Sequence, residues 1–355
     1  MVVKSLTIKN FRNHPYLTFD FQPGMNIITG ENAAGKTNIV EAIYYLSLAR
    51  SFRGVEDEEL IENGKEYSEI SAVVQEGELN RKIRIVLNRG AKQVSINGKN
   101  ITKLSDLSKV MNVLVFEPKD VMLFKGSPKE RRNYIDINLS KKSIPYLDYI
   151  SRYNKVLKDR NELLKSDKVD PVLLEANTEM LIKLSGPIVS YRQMYVKDIT
   201  DILIKITRAL TGVKENIEIH YKPFVEYDGE FETRAKEAFK RAEETDFRRK
   251  ATTIGVHRED FSVSLNGKDI ATFGSQGENR MVALALKLSP YFLIDDKEKR
   301  PIVVLDDVMS ELDKTHRLNL IKFLKKLDQV FITATSLEVD GANHYTIKKK
   351  QKEVF

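Results

Sequence analysis

The chain has no cysteine in its 355 residues, which excludes disulfides, thiolate nucleophiles and cysteine-ligated zinc or iron–sulfur centres. Histidine is scarce. The five present, His14, His220, His257, His316 and His344, are scattered without an i, i+4 pair, so a histidine-built metal site is not expected. No apolar run approaches the roughly 18 residues that a membrane span requires. The opening Met1-Val2-Val3-Lys4 carries no signal-peptide core, so the expected location is cytoplasmic, with no membrane partner. Excess charge is also small: 58 Lys and Arg against 51 Asp and Glu leave +7. That suits a polyanionic partner but is equally ordinary for a soluble surface. What remains, 41% hydrophobic and 31% charged residues, describes a globular chain, and its length suits about two domains.

One stretch stands out against these absences. Gly30-Glu31-Asn32-Ala33-Ala34-Gly35-Lys36-Thr37 fits G-x-x-x-x-G-K-[ST], a loop that wraps nucleotide phosphates with backbone N–H groups. The apolar segment Met25-Asn26-Ile27-Ile28 leads into it, and a helical pattern with Ile39, Ile43 and Leu46 follows. Gly30 and Gly35 let the backbone approach an anion closely, and the amides and dipole of the helix start attract it. Lys36 is expected to reach the β- and γ-phosphates and the Thr37 hydroxyl to ligate Mg²⁺. Ala33 and Ala34 line the loop without a competing polar group, and Asn38 closes the nucleotide-binding set. The ligand is a nucleoside triphosphate.

A second constellation lies far along the chain. Pro301-Ile302-Val303-Val304-Leu305-Asp306-Asp307 reads as an apolar strand ending in two carboxylates. Strand-end aspartates hold Mg²⁺ in phosphoryl-transfer sites, and a neighbouring carboxylate can orient the attacking water. Those roles fall to Asp306 and Asp307. Before them, Phe273-Gly274-Ser275-Gln276-Gly277 opens an apolar helix beginning Met281-Val282-Ala283. A Ser-x-Gly helix start offers amides and a hydroxyl to an anion. A plain serine cap is the ordinary use of an isolated serine, but the place of this one shortly before the Asp-Asp strand favours the anion site.

Around these motifs the chain alternates like strands from Val2 to Ile8, Tyr16 to Phe21, Ile70 to Val74 and Ile83 to Leu87. Asn97-Gly98 and Asn266-Gly267 are two-residue hairpin signals. From Gly126 to about Lys250 the pattern is helical. One stripe runs from Leu147 to Leu164 and a longer one from Leu173 to Leu210, with a kink expected at Gly186-Pro187 and neither helix very long. The expected organisation is therefore 1–125 with 251–355 as a nucleotide-binding head, and 126–250 as a helical lobe.

The order of phosphate loop, Ser-Gln-Gly helix, acidic strand, Ser310-Glu311-Leu312-Asp313 and a last strand ending Thr333-Ala334-Thr335 resembles the ABC-type ATPase head. Within that class the chain resembles the RecF family of bacterial recombinational-repair ATPases. The residues behind this are Asn10-Phe11-Arg12-Asn13, Arg50-Ser51-Phe52-Arg53, Gly126-Ser127-Pro128 with Glu130-Arg131-Arg132, His257-Arg258, and the motifs above. The resemblance implies an α/β fold: mixed and antiparallel sheets around the phosphate loop, plus a mostly helical second lobe without a long coiled coil. It implies ATP and Mg²⁺ as ligands, weak DNA-dependent ATP hydrolysis, and an ATP-dependent homodimer. In that dimer one copy supplies Lys36, Thr37, Asp306 and Asp307, and the other supplies Ser275 and Gly277. Arg12, Gln276, Asp313 and Thr335 join the nucleotide set on the same ground. Implied partners are double-stranded DNA, single-strand/double-strand junctions, and RecR with RecO in placing RecA at gaps.

Departures from the pattern are Asp307 where most ABC ATPases have Glu, Val256 before His257, Thr335 where a histidine is common, and Pro290, expected to bend the Ser-Gln-Gly helix. Basic residues considered for DNA are Arg131, Arg132, Lys141, Lys142, Arg248, Arg249 and Lys250, with the tail Lys348-Lys349-Lys350; for Arg131 and Arg132 a structural role is equally well founded. The rival readings are a transporter-type ATPase subunit and a binding module in which ATP is structural. Ser275-Gln276-Gly277 and the basic helical insert disfavour the first, and Asp306 with Asp307 the second.

Overall fold

The computed structural model of the protein describes residues 1–348, so Lys349 and Lys350 lie outside the described residues. The chain forms two compact units. One holds Met1–Val121, Ile206–Val213 and the chain from Leu284 on; the other holds Met122–Lys205 and Lys214–Ala283. The partition differs from the expected 126–250 lobe, because 251–283 belongs with the second unit. The reason is strand pairing. Strand β9 (Ile217–Lys222), hidden within a stretch of otherwise helical pattern, pairs antiparallel with β10 (Asp260–Leu265) and draws that segment in.

In the first unit, β1 (Val2–Phe11), β2 (His14–Asp20), β4 (Tyr67–Glu76), β5 (Leu79–Asn88), β6 (Ala91–Ile96) and β7 (Lys99–Asn100) form an antiparallel sheet in the order β2-β1-β4-β5-β6-β7. Asn97 and Gly98 turn β6 into β7 with φ of 51° and 77°, the left-handed pair such a hairpin needs. A second sheet is wholly parallel: β14 (Asn343–Ile347), β3 (Gly24–Gly30), β13 (Gln329–Ala334), β12 (Ile302–Asp306) and β8 (Val113–Phe116), in that order. Every residue of β12 and β13 is buried, as expected of strands covered on both faces.

Helix α1 (Lys36–Leu48) touches strands of both sheets, and Ile39, Val40, Ala42, Ile43, Tyr45 and Leu46 are shielded from solvent in the common core. An aromatic cluster adds to this core. Phe21 meets the rings of Phe331 at 4.7 Å and Tyr345 at 5.1 Å, both edge-on, the geometry the ring quadrupole favours. Short α2 (Leu107–Val110) and α9 (Lys314–Leu324) also belong to this unit.

The second unit is mostly helical: α3 (Pro128–Lys142), α4 (Ile144–Lys165), most of α5 (Pro171–Thr211), α6 (Phe231–Arg249) and α7 (Ile270–Phe273), with β9, β10 and β11 (Lys268–Asp269) as its small sheet. Helix α5 corrects the expectation of modest helices. It runs 41 residues, ~62 Å at 1.5 Å per residue, with Pro187 inside it. Proline costs this helix one backbone donor but does not end it. Helix α8 (Gln276–Leu288) does end before Pro290, and a 3₁₀ turn, Ser289–Leu293, follows; the expected bend is a termination.

Polar side chains anchor this unit from inside. Arg192 is buried and spans Asp136 (2.8 Å), Glu259 (2.6 Å) and the Val256 carbonyl (2.8 Å). Arg160 joins Asp246 at 2.8 Å and the Thr252 hydroxyl at 2.7 Å. Buried cations persist only when paired in this way.

Candidate functional site

The phosphate loop follows β3, and its shape is set by backbone that most side chains avoid. Gly35 caps α1 with φ 95°, and Ala33 takes φ 64°, a left-handed state glycine would adopt at less cost. A Cβ on Gly35 would sit 2.3 Å from His14 Nε2 and 2.7 Å from Asn13 Oδ1, because the β1–β2 turn folds over the loop. His14 Nε2 lies 3.1 Å from the Gly35 carbonyl, and Asn38 donates to Asn13 at 2.6 Å. Lys36, 8% exposed, turns its ammonium back onto the loop, donating to the carbonyls of Gly30 (2.7 Å) and Glu31 (2.9 Å). An ammonium carries a third donor for a phosphate oxygen.

The first turn of α1 has no side-chain cap and no acidic residue. Helices α3 and α9, by contrast, are capped by Ser127 and Asp313. A bound anion would supply at α1 what those caps supply elsewhere.

Beside the loop stand the strand-end acids. Thr37 Oγ1 donates to Asp306 Oδ1 at 2.9 Å, and Thr333 Oγ1 donates to the same oxygen at 2.6 Å. Burial pushes the Asp306 pKa up, and these two hydroxyls oppose that by bonding the carboxylate. Asp307 has left-handed backbone, φ 50°; its amide donates to Thr333 Oγ1 at 2.9 Å and its side chain is exposed. Ser310 donates to the Asp307 carbonyl at 3.0 Å.

A hydroxyl and a carboxylate side by side are hard oxygen ligands suited to Mg²⁺, and two such ligands leave room for phosphate oxygens and water. The residues present therefore fit a Mg²⁺–triphosphate. Register places the other strand ends nearby: Ala334 pairs with Thr29, so Thr335 and Gly30 come next at the same edge.

Arg12 is drawn into a cluster the sequence did not announce. Glu41 on α1 has 0% exposure and takes Arg12 bidentately, at 2.8 and 3.0 Å, with the Ser51 hydroxyl at 2.5 Å and Arg53 at 3.8 Å. Arg12 also donates to the Glu59 carbonyl at 3.1 Å. The family-motif residues Arg12, Ser51 and Arg53 thus converge on one buried carboxylate. The signal available in the sequence was Glu41 itself, a charge inside the apolar run Ile39-Val40-Glu41-Ala42-Ile43.

Other predicted residues are placed differently. Asp313 serves α9, its carboxylate accepting from the His316 amide at 3.0 Å and meeting the His316 ring; those bonds hold its pKa low. Ser275, Gln276 and Gly277 are exposed at the start of α8, in the second unit. Ser275 there makes a capping box: its hydroxyl accepts from the Glu278 amide at 3.2 Å, and Glu278 accepts from the Ser275 amide at 2.7 Å. The glycines flanking Ser275 differ. A Cβ at Gly274 would collide with the Ile270 carbonyl at 2.6 Å, whereas one at Gly277 meets open space at ordinary φ. Among the described residues nothing crowds a Cβ at Gly277.

Among the basic residues, Arg131 and Arg132 are structural. Arg131, 8% exposed, pairs with both oxygens of Asp260 at 2.7 Å and donates to the carbonyls of Phe124 (3.0 Å) and Gly126 (2.8 Å). Arg132 donates to the Glu259 carbonyl at 2.6 Å. Lys142 lies 3.7 Å from Asp198, and Lys141 is half-buried. Arg248, Arg249 and Lys250 are exposed at the C-terminal end of α6, where the helix dipole also favours cations.

The RecF/RecN/SMC N terminal domain family matches residues 2–353. A Halalkalibacterium halodurans protein named DNA replication and repair protein RecF is 36% identical over 359 residues, covering 98% of this chain and 96% of the relative. Its namesake from Geobacillus kaustophilus is 34% identical over 359 residues, with the same coverage of 98% and 96%. Among solved structures, the recombination mediator protein RecF with ATP superposes with a TM-score of 0.88 at 32% identity, covering 98% of this chain and 97% of that one. An Smc head domain from Pyrococcus furiosus, at 16% identity and TM-score 0.56 over 94% of this chain and 89% of that one, shares the fold. No helix among the described residues is long and apolar enough to cross a membrane.

Proposed function

The chain belongs to the RecF family, and from that premise we propose that it is an ATP-gated DNA-binding protein of replication and recombinational repair, working in the cytoplasm. The observation that carries this reading is the hydrogen bond from Thr37 to Asp306, which joins the phosphate loop to the strand-end acids. Lys36 and the uncapped amides of α1 bind the β- and γ-phosphates. Thr37 and Asp306 would hold Mg²⁺, which neutralises charge on the phosphate oxygens. Asp307 orients the attacking water, and the shorter arm of Asp compared with Glu suits slow turnover.

Ser275 and Gly277 complete the site from a second copy. Gly277 supports this, since no contact among the described residues calls for its lack of a side chain, which leaves room for a phosphate to approach. ATP then closes a homodimer on DNA and hydrolysis reopens it. Duplex DNA and single-strand/double-strand junctions are the proposed substrates, with RecR and RecO as partners in loading RecA.

Filter binding on gapped duplex DNA, with and without ATP and Mg²⁺, combined with phosphate release, tests the reading. Retention of DNA that rises with ATP, and DNA-stimulated phosphate release, are expected. DNA binding indifferent to nucleotide would contradict it.

A further inference from the structure

We propose that Thr333 is a positioning residue of this site, locking the Asp306 carboxylate to the Asp307 backbone; the proposal rests on the ATPase reading above. The parallel register of β12 and β13 pairs Thr333 with Asp306 directly. Thr333 is 1% exposed, and its one hydroxyl is used twice. Its hydrogen goes to Asp306 Oδ1 at 2.6 Å, and its oxygen accepts the Asp307 amide at 2.9 Å. Two consecutive acids with different tasks are thereby fixed through a single atom.

Packing alone does not account for a hydroxyl here. Its neighbours Val330, Phe331 and Ile332 are buried and apolar, and valine would fill the same volume without the cost of burying a polar group. The Asp307 backbone supplies a reason. Its φ of 50° is unfavourable for a residue with a Cβ, and the turn needs its amide held. Thr37 bonds the same Asp306 oxygen, but its hydroxyl is also the one assigned to Mg²⁺. Thr333 is the bond that stays when Thr37 is redirected to the metal. Ser310, on the carbonyl side of Asp307, completes the brace at 3.0 Å.

The test compares wild type, Thr333→Val and Thr333→Ser. Binding of a fluorescent ATP analogue is measured in Mg²⁺ and in EDTA, with steady-state hydrolysis and melting temperature alongside. For Thr333→Val the expected result is unchanged affinity in EDTA, a several-fold smaller gain in affinity from Mg²⁺, and kcat lower by about tenfold with little change in KM. Thr333→Ser keeps the hydroxyl and restores kcat to within about threefold of wild type. Thr333→Ala makes the same comparison should the valine variant not fold. A valine or alanine variant with wild-type kcat and wild-type Mg²⁺ dependence overturns the proposal, as does a serine variant as slow as valine. Wild-type protein that binds no nucleotide in either condition overturns the ATPase reading itself, and this proposal with it.

Discussion

Thr37 and Asp306 are 269 positions apart in the chain, yet the hydroxyl of one donates to the carboxylate of the other at 2.9 Å. The parallel sheet makes this possible. Strands β3 and β12 flank β13 and all three run the same way, so the loops after them open at one edge. Ligand sites of open parallel sheets form at that carboxyl edge. The chemistry assigned to each residue there can be separated by substitution.

Asp307→Asn removes the carboxylate proposed to orient water but keeps the shape and the amide bonded to Thr333. ATP affinity is expected to hold within about threefold while hydrolysis falls by about a hundredfold, the usual scale of a lost general base. Rapid-quench phosphate release with labelled ATP measures both. Faster turnover, or lost binding, contradicts the assignment.

Glu41→Gln tests the cluster around Arg12. The substitution leaves the Arg12 guanidinium without a charged partner in a site where Glu41 is wholly buried. Destabilisation of about 3 kcal/mol is expected from breaking a buried pair on one side. Urea unfolding at neutral pH reads it directly, and a change below about 0.5 kcal/mol, the size usual for exposed sites, would show the cluster to be unimportant for stability.

The basic residues should divide into two classes. Arg131→Ala is expected to lower stability by about 3 kcal/mol, because it strands Asp260 and three carbonyls. Arg248→Glu with Arg249→Glu should fold normally and weaken DNA binding about tenfold, with the salt dependence shallower by about one unit for each phosphate no longer neutralised. Equal DNA affinity in that double variant would remove the end of α6 from the interface.

His257 gives a pH signature. Its Nε2 faces the Thr252 carbonyl at 3.0 Å, which only accepts, so Nε2 carries the hydrogen and Nδ1 accepts from the Tyr153 hydroxyl at 2.8 Å. Burial, aided by Arg258 and Arg132 and opposed by the Thr252 carbonyl, pushes its pKa down to about 4. Between the ordinary value of 6.5 and about 4 the unfolded chain binds a proton that the folded chain refuses. Stability contributed by the neutral ring is therefore present above 6.5 and lost as pH falls through that window. The slope approaches 1.4 kcal/mol per pH unit, roughly, for one proton. Denaturant titrations at pH 7 and pH 5 should show a larger loss for wild type than for His257→Gln.

What the sequence disclosed was local. The phosphate loop, the apolar strand ending at Asp306 and both Asn-Gly hairpins are contiguous patterns, and the structure has each of them where the residues pointed. What it concealed depends on partners distant in the chain. Thr333 reads as one polar residue at a strand end until register sets it against Asp306. Strand β9 alternates over only six residues, and β10, which pairs with it, lies far beyond α6. The stripe from Leu173 to Leu210 suggested no very long helix, but a long helix can lose one backbone hydrogen bond at Pro187 and continue. Arg131 belongs to a family motif and a charge run, and only its burial against Asp260 distinguishes scaffold from surface.

The most direct test of the central claim mixes two crippled copies. Lys36→Ala lacks the lysine proposed to bind phosphate, and Ser275→Arg lacks the serine proposed to reach a neighbouring copy, so each alone should be inactive. Mixed in equal amounts with ATP and DNA, they should recover up to about a quarter of wild-type hydrolysis, since random pairing leaves half the dimers with one intact site. A mixture as inactive as its components, or Ser275→Arg fully active by itself, would contradict a site shared between two copies.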